Sequence, residues 1–433
     1  MESVSAWLLI PFVVMLLTIA IAPLVAADWW EKNSNKFFYV LCLSIPTSII
    51  LMVCGLGENL AHQMLYDYIP FIVLLCALFV VTGGIKLSCD SVATPTVNTT
   101  MLFLGYAMAS FVGTTGAAML MVRPLLEMNR DRAHKIHTFV VFIILVANCG
   151  GILTPLGDPP LFLLYLRGTP FSWFMEMYPQ SVAVGVVLLA GYYLYDSWRY
   201  HYCETIGVRP HSHYEDETGF TINIRGAKNF IFLAGVVMCV AFINPSFIPM
   251  MDNADAPIFI HRMREIVLCV LILLSLYTTS RRVRFEKNKF SWMPITEVTI
   301  LFLGIFVTMT PVLEYMREHA AQLALTEPSH FYYATGTLSS FLDNTPTAVV
   351  FHALALTLTP AEMAAMDTSL VAGVPEILLR AVSLGSVLFG AMTYIGNGPN
   401  FMVKAIAERR GVKMPSFFGY ILKFSLIVLL PIY

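Results

Sequence analysis

Charge is what this sequence has least of. Asp, Glu, Lys and Arg make up only 12% of its 433 residues, against 57% hydrophobic residues, and its mean hydropathy is +0.72. A soluble globular domain carries about 25% charged residues, so that class is excluded. A formal net charge of -2 argues equally against a nucleic-acid partner. The eight cysteines contain no C-x-x-C pair, which points to small buried packing residues in place of a disulfide framework or a transition-metal cage. Residues 1–6 lack a positively charged n-region, and the apolar run that follows is too long for a signal h-region. A retained first span is expected.

Long apolar runs are what the chain has instead. Crossing a bilayer as a helix takes about 20 residues, and ten runs qualify: 6–27, 37–54, 66–85, 137–166, 181–195, 230–244, 266–279, 296–313, 377–403 and 417–430. The fourth and ninth are interrupted at their centres. Residues 147–160 collect Gly150, Gly151 and Gly157, Pro155, Pro159 and Pro160, with Asn148, Thr154 and Asp158 among them. A lipid-spanning helix has no use for that composition unless its backbone breaks there. At an offset of 239, Gly151, Thr154, Gly157, Pro160 and Phe162 recur as Gly390, Thr393, Gly396, Pro399 and Phe401. The second break is therefore a repeat of the first.

Two further apolar stretches, 99–127 and 330–356, are interrupted by Gly113, Thr114, Thr115 and Gly116 and by Asp343, Asn344, Thr345 and Pro346. Reading both as re-entrant hairpins gathers 20 of the 26 Lys and Arg on one side, leaving Arg167, Arg262, Arg264 and Arg317 opposite and Arg380 and Lys423 inside spans. Basic residues concentrate in cytoplasmic loops, so this arrangement is the expected one, with both termini non-cytoplasmic. The hairpins also repeat: Ser110, Phe111, Thr115 and Ala118 recur 230 residues later as Ser340, Phe341, Thr345 and Ala348. The expected fold is an all-α membrane protein of about ten transmembrane helices plus two re-entrant hairpins. It comprises a first inverted repeat over 1–196, a cytoplasmic linker over 197–228 and a second repeat over 229–433. In the linker His211 and His213 read as solvated. Thr359, Pro360 and Glu362 form a capping-box pattern that predicts a short surface helix over 360–366.

Inverted repeats with broken helices characterise secondary transporters. A break frees backbone carbonyls and exposes half-helix ends, so small ions are held with few side chains. Asn148, Thr154 and Asp158 on the first break face Thr114 and Thr115 on the first hairpin. Thr393, Asn397 and Asn400 on the second face Asp343, Asn344, Thr345 and Thr347. These oxygen donors suit sodium and not a transition metal; no cofactor beyond the ion is expected. A carboxylate at membrane depth is neutralised by a proton or a cation, and competition between the two is cation/proton exchange. Asp158 aligns with Asn397 and Asp343 with Gly113, so each half contributes one acid; Asp343 is the stronger candidate for coupling, with helix capping as its plainer role. His352 reads as a hydrogen-bonded core histidine before a proton relay, and Arg380 as a residue that snorkels to the outer interface. No enzyme is expected: the Gly-x-Gly-Asp pattern of intramembrane aspartyl proteases fails at Pro155.

At residues 147–160, 340–347 and 393–400 the chain resembles the ion transporter superfamily, which includes NhaD-type sodium/proton antiporters, citrate and dicarboxylate transporters, arsenite permeases and P-permeases. The resemblance implies a homodimer in a bacterial-type inner (plasma) membrane, with a scaffold and a mobile transport domain working by an elevator mechanism. Carboxylate transporters of the group carry Ser-Asn-Thr at both hairpin tips; this chain has Gly113, Thr114, Thr115 and Asp343, Asn344, Thr345. The second tip is similar to the Asp-Asn tips of the antiporter branch. The leading expectation is sodium/proton antiport, with inorganic cations, protons and the lipid bilayer as partners. The alternatives are sodium- or proton-coupled symport of citrate or another carboxylate, held by Thr114, Thr115, Thr347 and Asn400, and an arsenite-type anion permease.

Overall fold

The computed structural model describes residues 5–89, 91–204, 222–251, 253, 255–319, 325–366 and 368–433. His211 and His213 lie outside them. Helices dominate, and the described strands form two short antiparallel pairs, Lys86–Cys89 with Ile222–Arg225 and Leu370–Val371 with Val374–Pro375. Among the described residues five helical segments are long and apolar enough to cross a membrane: Ala6–Pro23, Asn33–Val53, Gly57–Gly83, Phe171–Tyr202 and Met293–His319. Their outward faces carry large exposed apolar side chains, such as Val53, Val186, Leu194 and Tyr277 on the neighbouring helix Met263–Thr278. In water such a surface would be an aggregation liability; in lipid it is the solvent-facing side.

The expected runs become helices with shifted ends. The run 66–85 begins earlier, at Gly57, and passes through a π-helical turn over Gln63–Tyr68. The run 181–195 is the middle of a helix over Tyr178–Glu204. Its last turns carry Asp196 and Arg199, which interrupt hydropathy without interrupting the backbone. The capping box forms as the sequence indicates: Thr359 accepts from the Glu362 amide, and the Glu362 carboxylate accepts from the Thr359 amide and hydroxyl, opening the helix Pro360–Ala364. Those bonds hold the Glu362 carboxyl below its usual range. The cysteines depart from expectation: Cys89, Cys149 and Cys239 are buried, while Cys42, Cys54 and Cys269 are exposed.

Both hairpins and both breaks are present. Pro95–Val112 and Thr114–Met128 pack together about a turn at Gly113, whose φ of +83° is open to glycine and strained for other residues. Pro328–Phe341 and Asn344–Ala355 pack about a turn at Leu342 and Asp343. The first break separates Ile136–Leu145 from Pro159–Leu166, and the second separates Glu376–Phe389 from Gly398–Arg409. Proline near the start of each second segment fits the local rule, since its missing amide is one that the first helical turn leaves unbonded anyway.

The packing crosses over. Pro159–Leu166 lies against Asn344–Ala355 of the second hairpin, while Gly398–Arg409 lies against Thr114–Met128 of the first. Within each break the chain folds back on itself, and a Cβ on Gly157 would stand 2.1 Å from the Gly151 carbonyl oxygen. Gly157→Ala should therefore lower the stability of the purified protein by about 1–3 kcal/mol. Gly191→Ala, on an open face of Tyr178–Glu204 with nothing within 4 Å, should leave it unchanged or raise it slightly. Thermal unfolding of the two variants in detergent separates these outcomes.

Candidate functional site

Asp158 ends the first break. Its backbone is extended and it precedes Pro159, so it occupies the cap position of Pro159–Leu166. Its side chain does not bond that helix; it turns away, 1% exposed, into the space among all four interrupted elements. There it accepts three hydrogen bonds. Thr114, the first residue past the turn of the first hairpin, donates from Oγ1 to Oδ1 at 2.7 Å. Asn397 of the second break donates from Nδ2 to the same oxygen at 3.2 Å. Asn344 of the second hairpin donates from Nδ2 to Oδ2. Each donor is neutral.

Asn148 and Asn400 extend the network. Asn148 Nδ2 donates to Asn400 Oδ1 at 2.7 Å and to the Ile143 carbonyl at 2.8 Å, and Asn148 Oδ1 accepts from Asn397 Nδ2 at 3.2 Å. Asn400 Nδ2 reaches the carbonyls of Gly390 and Thr393 at 2.8 and 2.9 Å. Asn397 also donates to the Ala147 carbonyl at 3.1 Å. The unwound backbone of the first break is thus bonded by an amide from the second, while that of the second is bonded by its own Asn400. Sequence alone pairs each break with its own hairpin; the structure joins the two halves into one polar centre.

The remaining candidates divide by role. Thr154 and Thr393 clamp: each hydroxyl donates to a hairpin carbonyl, of Ser110 and Ser340 respectively, and accepts from amides of its own break. The correspondence follows the two sequence offsets residue for residue. Asp343 caps Asn344–Ala355, accepting from the Thr345 amide at 2.9 Å, and is only partly buried. Thr345 Oγ1 donates to Asn344 Oδ1 at 3.3 Å, and Thr347 Oγ1 donates back to the Asp343 carbonyl at 3.0 Å. Thr115 does not hydrogen-bond Asp158; with Thr114, Gly113, Leu156 and Pro159 it lines a cavity of about 60 Å³ that Pro294, Ile295 and Val298 also line. Ser110 is a partner that sequence reasoning left without a role: it donates to the Gly150 carbonyl at 2.5 Å and accepts from the Leu153 amide at 3.1 Å. Its recurrence as Ser340 was the available signal.

The buried basic residues are committed elsewhere. Lys36 pairs with Glu297 at 2.5 Å and Arg132 with Asp196 at 2.8 Å, while Arg284 donates to the carbonyls of Val80 and Ser275. Arg380 pairs with Glu376 and stands 3.6 Å from Glu176, with its side chain partly exposed. Among the described residues no group of three or more His, Cys, Asp or Glu is arranged to hold a metal ion.

Asn148→Ala should strip partners from the Asn397 and Asn400 side chains together. A cost of about 1–3 kcal/mol per buried amide left unpaired predicts a lower unfolding temperature than for Thr115→Ala, whose side chain bonds nothing in the centre. No curated protein matches the chain. The model of a family described as "Putative citrate transport" matches all of residues 1–433, and the chain therefore belongs to that family of membrane transporters, a member of the ion transporter group that its motifs resemble.

Proposed function

We propose that the protein is a sodium/proton antiporter in which Asp158 is the exchanging carboxylate. The observation that carries this reading is a fully buried acid whose three donors are all neutral. An ionised carboxylate without a cation in such a place is costly. A sodium ion or a proton on Asp158 removes that cost, and the two cannot occupy it together. Oxygen ligands for the ion are at hand in Thr114, Asn344, Asn397, Asn148 and the break carbonyls, and an Asn side chain supplies its oxygen by turning over. Thr345, Thr154 and Thr393 hold the breaks and tips in place around them, and Asp343 fixes the second tip.

The wider organisation belongs to the same proposal. Ten spans and two hairpins in two inverted repeats, with both termini outside, account for the basic residues along the sequence. The matched clamps of Thr154 on Ser110 and Thr393 on Ser340 support the repeat. In an elevator arrangement the hairpins and breaks move as a unit past the long apolar helices, in a homodimer of a bacterial-type inner membrane. The hydrophobic cavity at the first hairpin tip, walled by Pro294, Ile295 and Val298, lies where such a unit would slide.

A second reading is sodium-coupled uptake of citrate or a related carboxylate, favoured by the description of the family. The anion would lie against the hairpin half-helix N-termini, near Thr114, Thr115, Thr347 and Asn400. Against it stands the commitment elsewhere of every buried Lys and Arg among the described residues, which leaves a multivalent anion without a permanently charged partner in the centre.

Proteoliposomes decide between them. Sodium added outside should dissipate an imposed pH gradient without any carboxylate present, and Asp158→Asn should abolish this. Asp343→Asn should stay within a few-fold of the parent, because Asn caps a helix about as well as Asp. Sodium-dependent uptake of labelled citrate, with no response of the pH gradient to sodium alone, would overturn antiport in favour of the second reading.

A further inference from the structure

The arm Asn344–Ala355 carries a group for which the exchange centre has no use. His352 is 2% exposed, and neither ring nitrogen has a hydrogen-bond partner among the described residues. The hydrogen bonds expected of a core histidine are missing. Two segments packed on this arm, Pro328–Phe341 and Glu376–Phe389, each bring a buried hydroxyl that is equally unpaired, Thr335 Oγ1 and Ser383 Oγ. Thr169 Oγ1, just beyond Pro159–Leu166, is a third. An unmet buried polar group costs about 1–3 kcal/mol, and native interiors meet such groups with ordered water where protein partners are absent. Four such groups lie on segments that pack together, and water is what would meet them there.

The helices aim this place at Asp158. Pro159–Leu166 and Asn344–Ala355 pack against each other, and both start at the exchange centre. They therefore leave it side by side. His352 lies eight residues beyond Asn344, about 12 Å along the helix at ~1.5 Å per residue. Arg167, nine residues beyond Asp158, is the charged group within electrostatic reach of the imidazole. Other charges on the packed segments are paired, Glu376 with Arg380 and Glu314 with Arg317. Arg167 itself bonds Asp67 at 3.1 Å, where both side chains are partly exposed.

We propose that His352 is a proton relay in a water-filled path from the Arg167–Asp67 end of these helices to the Asp158 carboxylate. The inference rests on the antiport reading of Asp158. A neutral imidazole has one nitrogen that accepts and one that donates. A proton taken from water at the first and released to water from the second leaves the ring neutral in its other tautomer. Rotation or the reverse passage resets it. One proton reaches Asp158 and no other bond changes.

The test uses full-length protein in proteoliposomes, with two fluxes measured for the parent, His352→Phe and His352→Gln. Sodium-driven proton movement should fall about tenfold or more in both variants, with the pH profile altered. Exchange of labelled for unlabelled sodium, which needs no proton, should persist, and imidazole in the buffer should restore part of the lost proton flux. Unchanged proton flux and pH profile in His352→Phe overturn the relay and leave antiport standing. Parallel loss of both fluxes in both variants also overturns it, since it marks a packing role. A parent that moves no protons in response to sodium fails the antiport reading itself and takes the relay with it.

Discussion

Everything near the centre of this protein depends on keeping one carboxylate out of water. Asp158 is 1% exposed, and at that depth its lone pairs must be met by protein, proton or cation. Protein meets them with one hydroxyl and two amides drawn from three separate segments. Each donor must arrive at a fixed place, so each of those segments is fixed in turn. The hairpin turns, the two breaks and the clamps at Thr154 and Thr393 follow from that requirement.

The backbone meets the same demand by different means in the two halves. At the first hairpin the turn is made by Gly113 at a φ of +83°, with its Cβ position 3.2 Å from the Leu156 carbonyl oxygen. An acid cannot occupy that conformation without strain of about 1–3 kcal/mol. At the second hairpin the equivalent Asp343 has a φ of -61° and caps the following helix. The asymmetry between Gly113 and Asp343 is thus one of backbone conformation first. A matched acid at both tips is incompatible with this first turn, and the single central acid, Asp158, stands on the break.

Much of this was legible in the sequence, because the features concerned are local. Glycine and proline inside an apolar run leave no alternative to a break, and a twofold repeat of spacing identifies its partner. Helix ends were less legible where charge interrupts hydropathy, as at Asp196 and Arg199, since the backbone continues regardless. The crossing of halves could not be read at all. Asn397 donating to Asp158 depends on how the two broken helices meet, and spacing within one chain carries no record of that. Asp343 reads from the sequence with helix capping as its plainer role, and that cap is present. His352 shows the converse, a residue whose bland reading fails only when its neighbours are seen not to bond it.

The crossed pairing has a consequence for synthesis. Asn344 and Asn397 follow Asp158 by 186 and 239 residues. At about 5–20 residues per second a growing chain makes its first break about 10–50 seconds before those amides exist. Until then Thr114 is the one donor of the three already made. The first half must wait in lipid with its carboxylate incompletely partnered, protonated or facing water at the insertion machinery. Final assembly of the centre is thereby postponed until the second break has been made.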